Sequence, residues 1–201
     1  MAQANKIIVS ANTDKGDPKG SQFSPLQLKG KGAKKSVKLS WVKVKGADGY
    51  IIYGSACGKK MKEIKRIGAG KKSYTVKKLK KGKYYKFIIV AYKMIDNEIR
   101  IIAQSKSVHA CTTGGKYGNP SKVIYKKSLS LKKGKTKKIK PKLKTKKKIR
   151  IHIAKFRYES LNTDVLSVNK KGKIKAKKKG VSYLYIYSQN GICTKVRVKV
   201  K

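Results

Sequence analysis

Three cysteines (Cys57, Cys111 and Cys193) and two histidines (His109 and His152) are the side chains in this chain best suited to nucleophilic, redox or metal chemistry. Their spacing supports none of it. No two cysteines stand at C-x-x-C, so neither a zinc site nor a disulfide framework is spelled out. The two histidines fall in different candidate domains, and a lone strand histidine is ordinarily structural. Only 8 carboxylates are present, which leaves little material for an acid/base pair. The nearest two, Asp96 and Glu98, sit in IDNEI, which reads better as a hairpin turn. The chain contains no G-x-S-x-G, H-E-x-x-H, P-loop or glycine-rich dinucleotide turn. Asn12, Asp14 and Asp17 are spaced as calcium-binding oxygens could be, yet no Glu completes the set and Asx turns explain them. The expectation is a protein that is not an enzyme, with no cofactor and no metal.

Charge is the next feature. The formal net charge is +47, and it is carried by 50 Lys against 5 Arg. Such a surface attracts polyanions of every kind, from nucleic acid to teichoic acids and sulfated glycans. Lysine is a flexible point charge, whereas recognition of bases and phosphates favours the planar arginine fork. The aromatic residues are committed to strand faces, so no specific nucleic-acid site is expected. The opening, MAQANKIIVSANTD, lacks the apolar run of a signal peptide. No stretch approaches the ~18 apolar residues of a membrane span, and the ending VRVKVK matches no anchor motif. The expectation is an excised piece of a longer secreted or surface protein.

The elements that must position these residues are strands. LQLKG, VKLSWVKV, YIIYG, MKEIKRI, SYTVKKL, YYKFIIVAY, IRIIAQ and SVHACT are short β-type runs separated by glycine- and lysine-rich turns, and no window has a helical period. The longest run, LKKGKYYKFIIVAY at 79–92, places Tyr85, Phe87, Ile89 and Ala91 on the core face. Tyr84, Lys86, Ile88, Val90 and Tyr92 then lie on the other. Helices longer than about three turns are not expected.

Within this pattern, Leu39-Ser40-Trp41 resembles strand B of a fibronectin type III domain, and Gly49-Tyr50-Ile51-Ile52-Tyr53 resembles strand C. Leu79, Lys81, Lys83, Tyr85, Ile89 and Ala91 are similar to the family's L-x-P-x-T-x-Y-x-x-x-V-x-A run, with Lys in place of Pro and Thr. The resemblance covers about 26–113 and implies that Tyr85 is a tyrosine-corner residue. GGKYGNPSK, 114–122, reads as a linker. Beyond it, Tyr158-Glu159-Ser160-Leu161-Asn162, Val165, Val168, Gly172-Lys173-Ile174-Lys175-Ala176, Gly180 and Leu184 resemble a group 2 bacterial immunoglobulin-like domain over 123–201. Gln189-Asn190-Gly191 is a hairpin signal between the last two strands. The expected fold is therefore all-β, two immunoglobulin-like β-sandwiches in tandem. Residues 1–25 form an N-terminal extension on or near the first, with IIV at 7–9 as an edge strand. The pairing of families is that of Gram-positive gut bacterial surface proteins, and it implies an extracellular location.

On this fold Ile51, Tyr53, Ile88, Val90 and Tyr92 share the outer face of strands C and F, with Ser107 and His109 alongside. That face is too apolar for a solvated surface. It is either covered by residues 1–25 or the second domain, or it binds a protein through aromatic anchors and a lysine rim. The binding reading makes the chain an adhesin-type fragment whose partner is a host or neighbouring protein or glycoprotein, with immunoglobulin-binding, superantigen-like proteins as the sharpest case. The alternative is a structural spacer held to anionic cell-wall polymers by its lysines. Strands C and G flank F at ~9.6 Å, which is too far for a Cys57–Cys111 disulfide, so free thiols are expected.

Overall fold

The computed structural model describes residues 26–146 and 149–201. The N-terminal extension, the strand expected at 7–9 and the Asn12, Asp14 and Asp17 loop lie outside the described residues. The chain divides between Asn119 and Pro120 into two compact units. Seventeen strands make up the described regular structure, and both units are all-β. Among the described residues no helix is long and apolar enough to cross a membrane.

In the first unit, β1 (Lys29–Gly32), β2 (Val37–Ser40) and β5 (Ser73–Val76) form one antiparallel sheet. The second sheet is ordered β4 (Lys62–Gly68), β3 (Gly49–Ala56), β6 (Tyr84–Ile95) and β7 (Glu98–Gln104), and β8 (Val108–Cys111) also pairs with β6. The two separate runs read after the hairpin, IRIIAQ and SVHACT, are thus β7 and β8. At the break, the Ser105 N–H donates to the Ile89 carbonyl at 2.8 Å and its hydroxyl oxygen accepts from the Ile89 N–H at 2.9 Å. The expected turn at IDNEI is present: Ile95 pairs with Glu98 across Asp96 and Asn97, both at positive φ (50° and 60°). That is the backbone a two-residue type I′ loop requires.

Strand parity on β6 is as expected. Phe87, Ile89 and Ala91 pack in the core between the sheets with Val37, Leu39, Trp41, Tyr50 and Ile52, and Tyr85 lies at its margin. The Trp41 and Tyr50 rings meet edge-on, 5.4 Å apart. The Lys80 N–H donates to the Tyr85 hydroxyl at 2.8 Å, which is the corner contact the resemblance implies. With its buried tryptophan, its corner and its two facing sheets, the first unit has a fibronectin type III-like fold.

Residues 114–119, read from composition as connector, pack against this sandwich. Asn119 donates to the Cys111 carbonyl and accepts from the Cys111 N–H, both at 2.8 Å. One side-chain amide thus does the work of a neighbouring strand. Gly32 lies against the same place: a Cβ there would stand 1.8 Å from the Cys111 carbonyl oxygen.

In the second unit, β10 (Ser128–Leu131), β17 (Cys193–Val200), β16 (Gly180–Tyr187) and β13 (Arg157–Ser160) form one sheet, with β10 parallel to β17. A second sheet contains β11 (Thr136–Lys138), β15 (Lys173–Ala176) and β14 (Leu166–Val168). β9 (Lys122–Ile124) pairs with β12 (Lys142–Lys144). Its core joins Leu166, Val168 and Ile174 to Leu184, Ile186, Val196 and Val198. The Asn162 carboxamide oxygen accepts from the Asp164 and Val165 N–H groups at 3.0 and 3.3 Å. The turn at Gln189-Asn190-Gly191 closes through the Ser188 N–H to Ile192 carbonyl bond of 2.8 Å, with Gly191 at φ 83°.

Replacing Asn119 by Ala strands a buried N–H and a buried carbonyl on Cys111. The expected loss is about 2 kcal/mol in urea unfolding of the first unit, and Asn119→Asp, which sets a carboxylate oxygen against the Cys111 carbonyl, should lose at least as much. Equal stability of Asn119→Ala and the parent would show that water replaces the amide.

Candidate functional site

Register along β3 and β6 builds the candidate face directly. Tyr53 stands opposite Ile88, Ile51 opposite Val90 and Gly49 opposite Tyr92. Ile51, Tyr53, Ile88 and Val90 pack as one cluster, and Met61, Tyr92, Ile99 and Ile101 surround it. The patch is contiguous, as strand parity requires. Its exposure differs from that of a free binding surface: Ile51, Tyr53, Ile88 and Val90 are 0%, 3%, 2% and 1% exposed, and only Tyr92 of the five is half-buried. β3 and β6 are apolar on both faces, and burial of both is the favourable state for such a strand pair. Ile51, Tyr53, Ile88 and Val90 are thus buried, the covered one of the two alternatives the sequence left open.

Three members of the cluster escaped the sequence reading. Ile99 and Ile101 alternate along β7, where they stand opposite Met94 and Tyr92. The signal was the period-two pattern in EIRII. Met61 precedes β4 and carries no periodic signature.

Polar groups gather at the rim. Glu63, opposite Tyr53, holds Arg66 through two bonds of 2.8 and 3.1 Å. Burial pushes the Tyr53 phenol up, nearby Glu63 adds to the rise and Arg66 opposes it. His109 stands opposite Lys86 on β8, and its Nδ1 lies 3.2 Å from the Cys57 Sγ. Sequence separation concealed this meeting: Cys57 follows β3 and His109 lies on β8, and only pairing of both to β6 joins them. Ser107 is buried.

Burial raises the Cys57 thiol, and the Lys86 ammonium only partly offsets it. Burial, with Cys57 nearby, pushes Cys111 up to about 11, and its S–H donates to the Thr112 carbonyl at 3.1 Å. Cys57, Cys111 and Cys193 form no disulfide. Burial thus disfavours the thiolate, the reactive form, at Cys57 and Cys111. Cys57 and His109 make a thiol–imidazole contact. His152 lies in the second unit.

No protein-family model matches the chain, and no curated protein matches it. Among solved structures it is similar to a β-1,2-glucanase from Parabacteroides distasonis, with 20% identity over 50% of this chain and 13% of that one and a TM-score of 0.39. It is similar also to the fn3 domain of human contactin 1, with 19% identity over 47% of this chain and 78% of that one and a TM-score of 0.37. The chicken CNTN1 FN1–FN3 domains match at 19% identity over 43% of this chain and 30% of that one, with a TM-score of 0.38. The chain thus spans 13% of the glucanase's length, and at these scores no activity or partner passes from these proteins to it.

Two measurements check the site. Tyr53→Ala should lower stability by about 3 kcal/mol or more, because it empties a core position; a variant as stable as the parent would restore the open-face reading. In native protein at pH 8, a thiol reagent should leave Cys111 unmodified, with its rate climbing only toward pH 11. Rapid labelling of Cys111 at neutral pH would contradict its burial.

Proposed function

We propose that this chain is a non-catalytic spacer segment of a bacterial surface protein, held against anionic cell-wall polymers by its lysines. The observation that supports this most is where the apolar and charged residues go. The apolar outer face of β3 and β6 is buried, so charge dominates what meets solvent. Against a net charge of +47, the chain has only 8 carboxylates, and the pairs Glu63–Arg66 and Glu98–Arg100 are both exposed. The sandwich fold suits a module that carries or binds rather than converts. The sequence resemblance of both halves to modules of surface proteins supports an extracellular placement. An adhesin-type reading, with a host protein, glycoprotein or immunoglobulin as ligand, requires the outer face of β3 and β6 to be open. The burial of Ile51, Tyr53, Ile88 and Val90 weighs against it.

The purified chain should sediment with isolated cell walls that retain their anionic polymers and not with walls stripped of them. With about 6–10 phosphates neutralised, affinity should fall by roughly 10³–10⁵ between 50 and 200 mM salt. Retention that ignores salt, or equal binding to stripped walls, would overturn the spacer reading. Salt-insensitive capture of immunoglobulin by the chain would establish the adhesin reading in its place.

A further inference from the structure

Two runs of the second unit, KKGKTKKIK at 132–140 and KKGKIKAKKK at 170–179, are brought together by one pairing. Each turns on a glycine in the left-handed region, Gly134 at φ 82° and Gly172 at φ 74°. Backbone bonds from Gly134 N–H to the Ala176 carbonyl (2.8 Å), from Ala176 N–H to the Lys135 carbonyl (2.9 Å) and from Ile139 N–H to the Gly172 carbonyl (2.8 Å) lock the runs side by side. Ile139, Ile174 and Ala176 point inward and are buried. Parity therefore sends Lys138, Lys173 and Lys175 outward, and all three are exposed.

In this register Lys138 stands directly opposite Lys173. Cβ atoms so placed are about 4.5–5.5 Å apart, and like charges there are destabilising. Lysine on an edge strand has an ordinary purpose, since it blocks pairing with another chain. That purpose cannot explain Lys173 and Lys175, because β15 is the central strand between β11 and β14. The opposite positions on β14 and β11 supply no compensating carboxylate: Lys175 faces Ser167 and Thr136. The Lys138 ammonium rests on the Lys171 carbonyl. Between residues 120 and 201 the acids are Glu159 and Asp164, neither of them on these three strands, and Glu159 is buried on β13.

We propose that the outer face of β11, β15 and β14 is a docking surface for a linear phosphodiester polymer, which rests on the reading of the chain as a lysine-held spacer. Along β15 the lysines repeat about every 6.6–6.8 Å, and across to β11 the step is about 4.8 Å. This is a lattice of single positive points suited to a chain carrying one negative charge per repeat. Lysine binds phosphate as a point charge, without the bidentate fork that arginine would supply. No aromatic side chain stands on the paired positions of this face, so it has no platform for stacking bases. The polymer supplies the charge that Lys138 and Lys173 lack.

The test uses the full chain and poly(glycerol phosphate) as probe at low salt. Lys138→Gln/Lys173→Gln/Lys175→Gln should weaken binding about tenfold, and the slope of log affinity against log salt should become shallower by about two, since each neutralised phosphate contributes ~0.7. Lys38→Gln/Lys62→Gln/Lys65→Gln removes the same charge from exposed positions of the first unit and should change affinity less than about twofold if the face is specific. The triple Lys→Arg variant at 138, 173 and 175 should bind like the parent, and circular dichroism should report a native sheet in all three. Equal losses in the two glutamine triples would overturn the face while leaving a diffuse lysine coat, and the spacer reading, intact. Heparin or polyaspartate binding as tightly per charge, with the same dependence on the three lysines, would overturn the phosphodiester assignment. Failure of the parent to bind the probe at all would overturn both.

Discussion

The pairing of β3 with β6 is the constraint on which the first unit depends. These strands run antiparallel in unbroken register from Gly49–Tyr92 to Ala56–Tyr85. Most of both faces of the pair is apolar and buried, so apart from Lys86 a one-residue slip would exchange two apolar clusters. Hydrophobic pattern alone cannot fix such a register. Two glycines do: a Cβ at Gly54 would stand 2.5 Å from the Phe87 ring, and one at Gly49 would stand 2.5 Å from the Tyr92 hydroxyl. A slip would place a side chain opposite each aromatic ring, and that is a steric cost with no compensation. The bond from Lys80 to the Tyr85 hydroxyl anchors the start of β6 in the same frame.

Lysine then determines what the outside can be. The edge strand β4, with its sequence KEIKRIG, and the short strands TKK and KLK carry the charges expected of edges protected from aggregation. The lysines therefore divide physically into two kinds. Edge lysines have a sufficient explanation in folding and solubility. Lys173 and Lys175 on the central strand β15, the first of them opposite Lys138, do not, and they carry the argument for a partner.

Much of the fold was legible because its signals are local. The period of two in YYKFIIVAY assigned Phe87, Ile89 and Ala91 to the core, the spacing from Leu79 to Tyr85 marked the corner, and Asp96-Asn97 marked the hairpin. The status of Ile51, Tyr53, Ile88 and Val90 was not legible. A strand apolar on both sides has the same sequence whether its outer face binds a partner or is buried, so alternation cannot distinguish the two. Asn119 was hidden for another reason: its glycine-rich neighbourhood announces a connector, while its amide substitutes for backbone through geometry that composition does not encode. The Cys57–His109 contact joins residues 52 positions apart, and only strand order could reveal it.

Charge and core are finally one problem. Self-repulsion at +47 opposes compaction, and the few exposed ion pairs can return only about 0–1 kcal/mol each. The first unit also tolerates two buried polar atoms without hydrogen bonds, the Trp41 indole nitrogen and the Gln104 Oε1, each at a cost of about 1–3 kcal/mol. Folding is therefore carried by apolar burial, and the second apolar layer formed by Ile51, Tyr53, Ile88 and Val90 belongs to that balance. A face freed to bind a partner would remove about 1.5–3 kcal/mol for each aliphatic residue exposed. A chain this heavily charged has stronger reason to bury the layer than to display it.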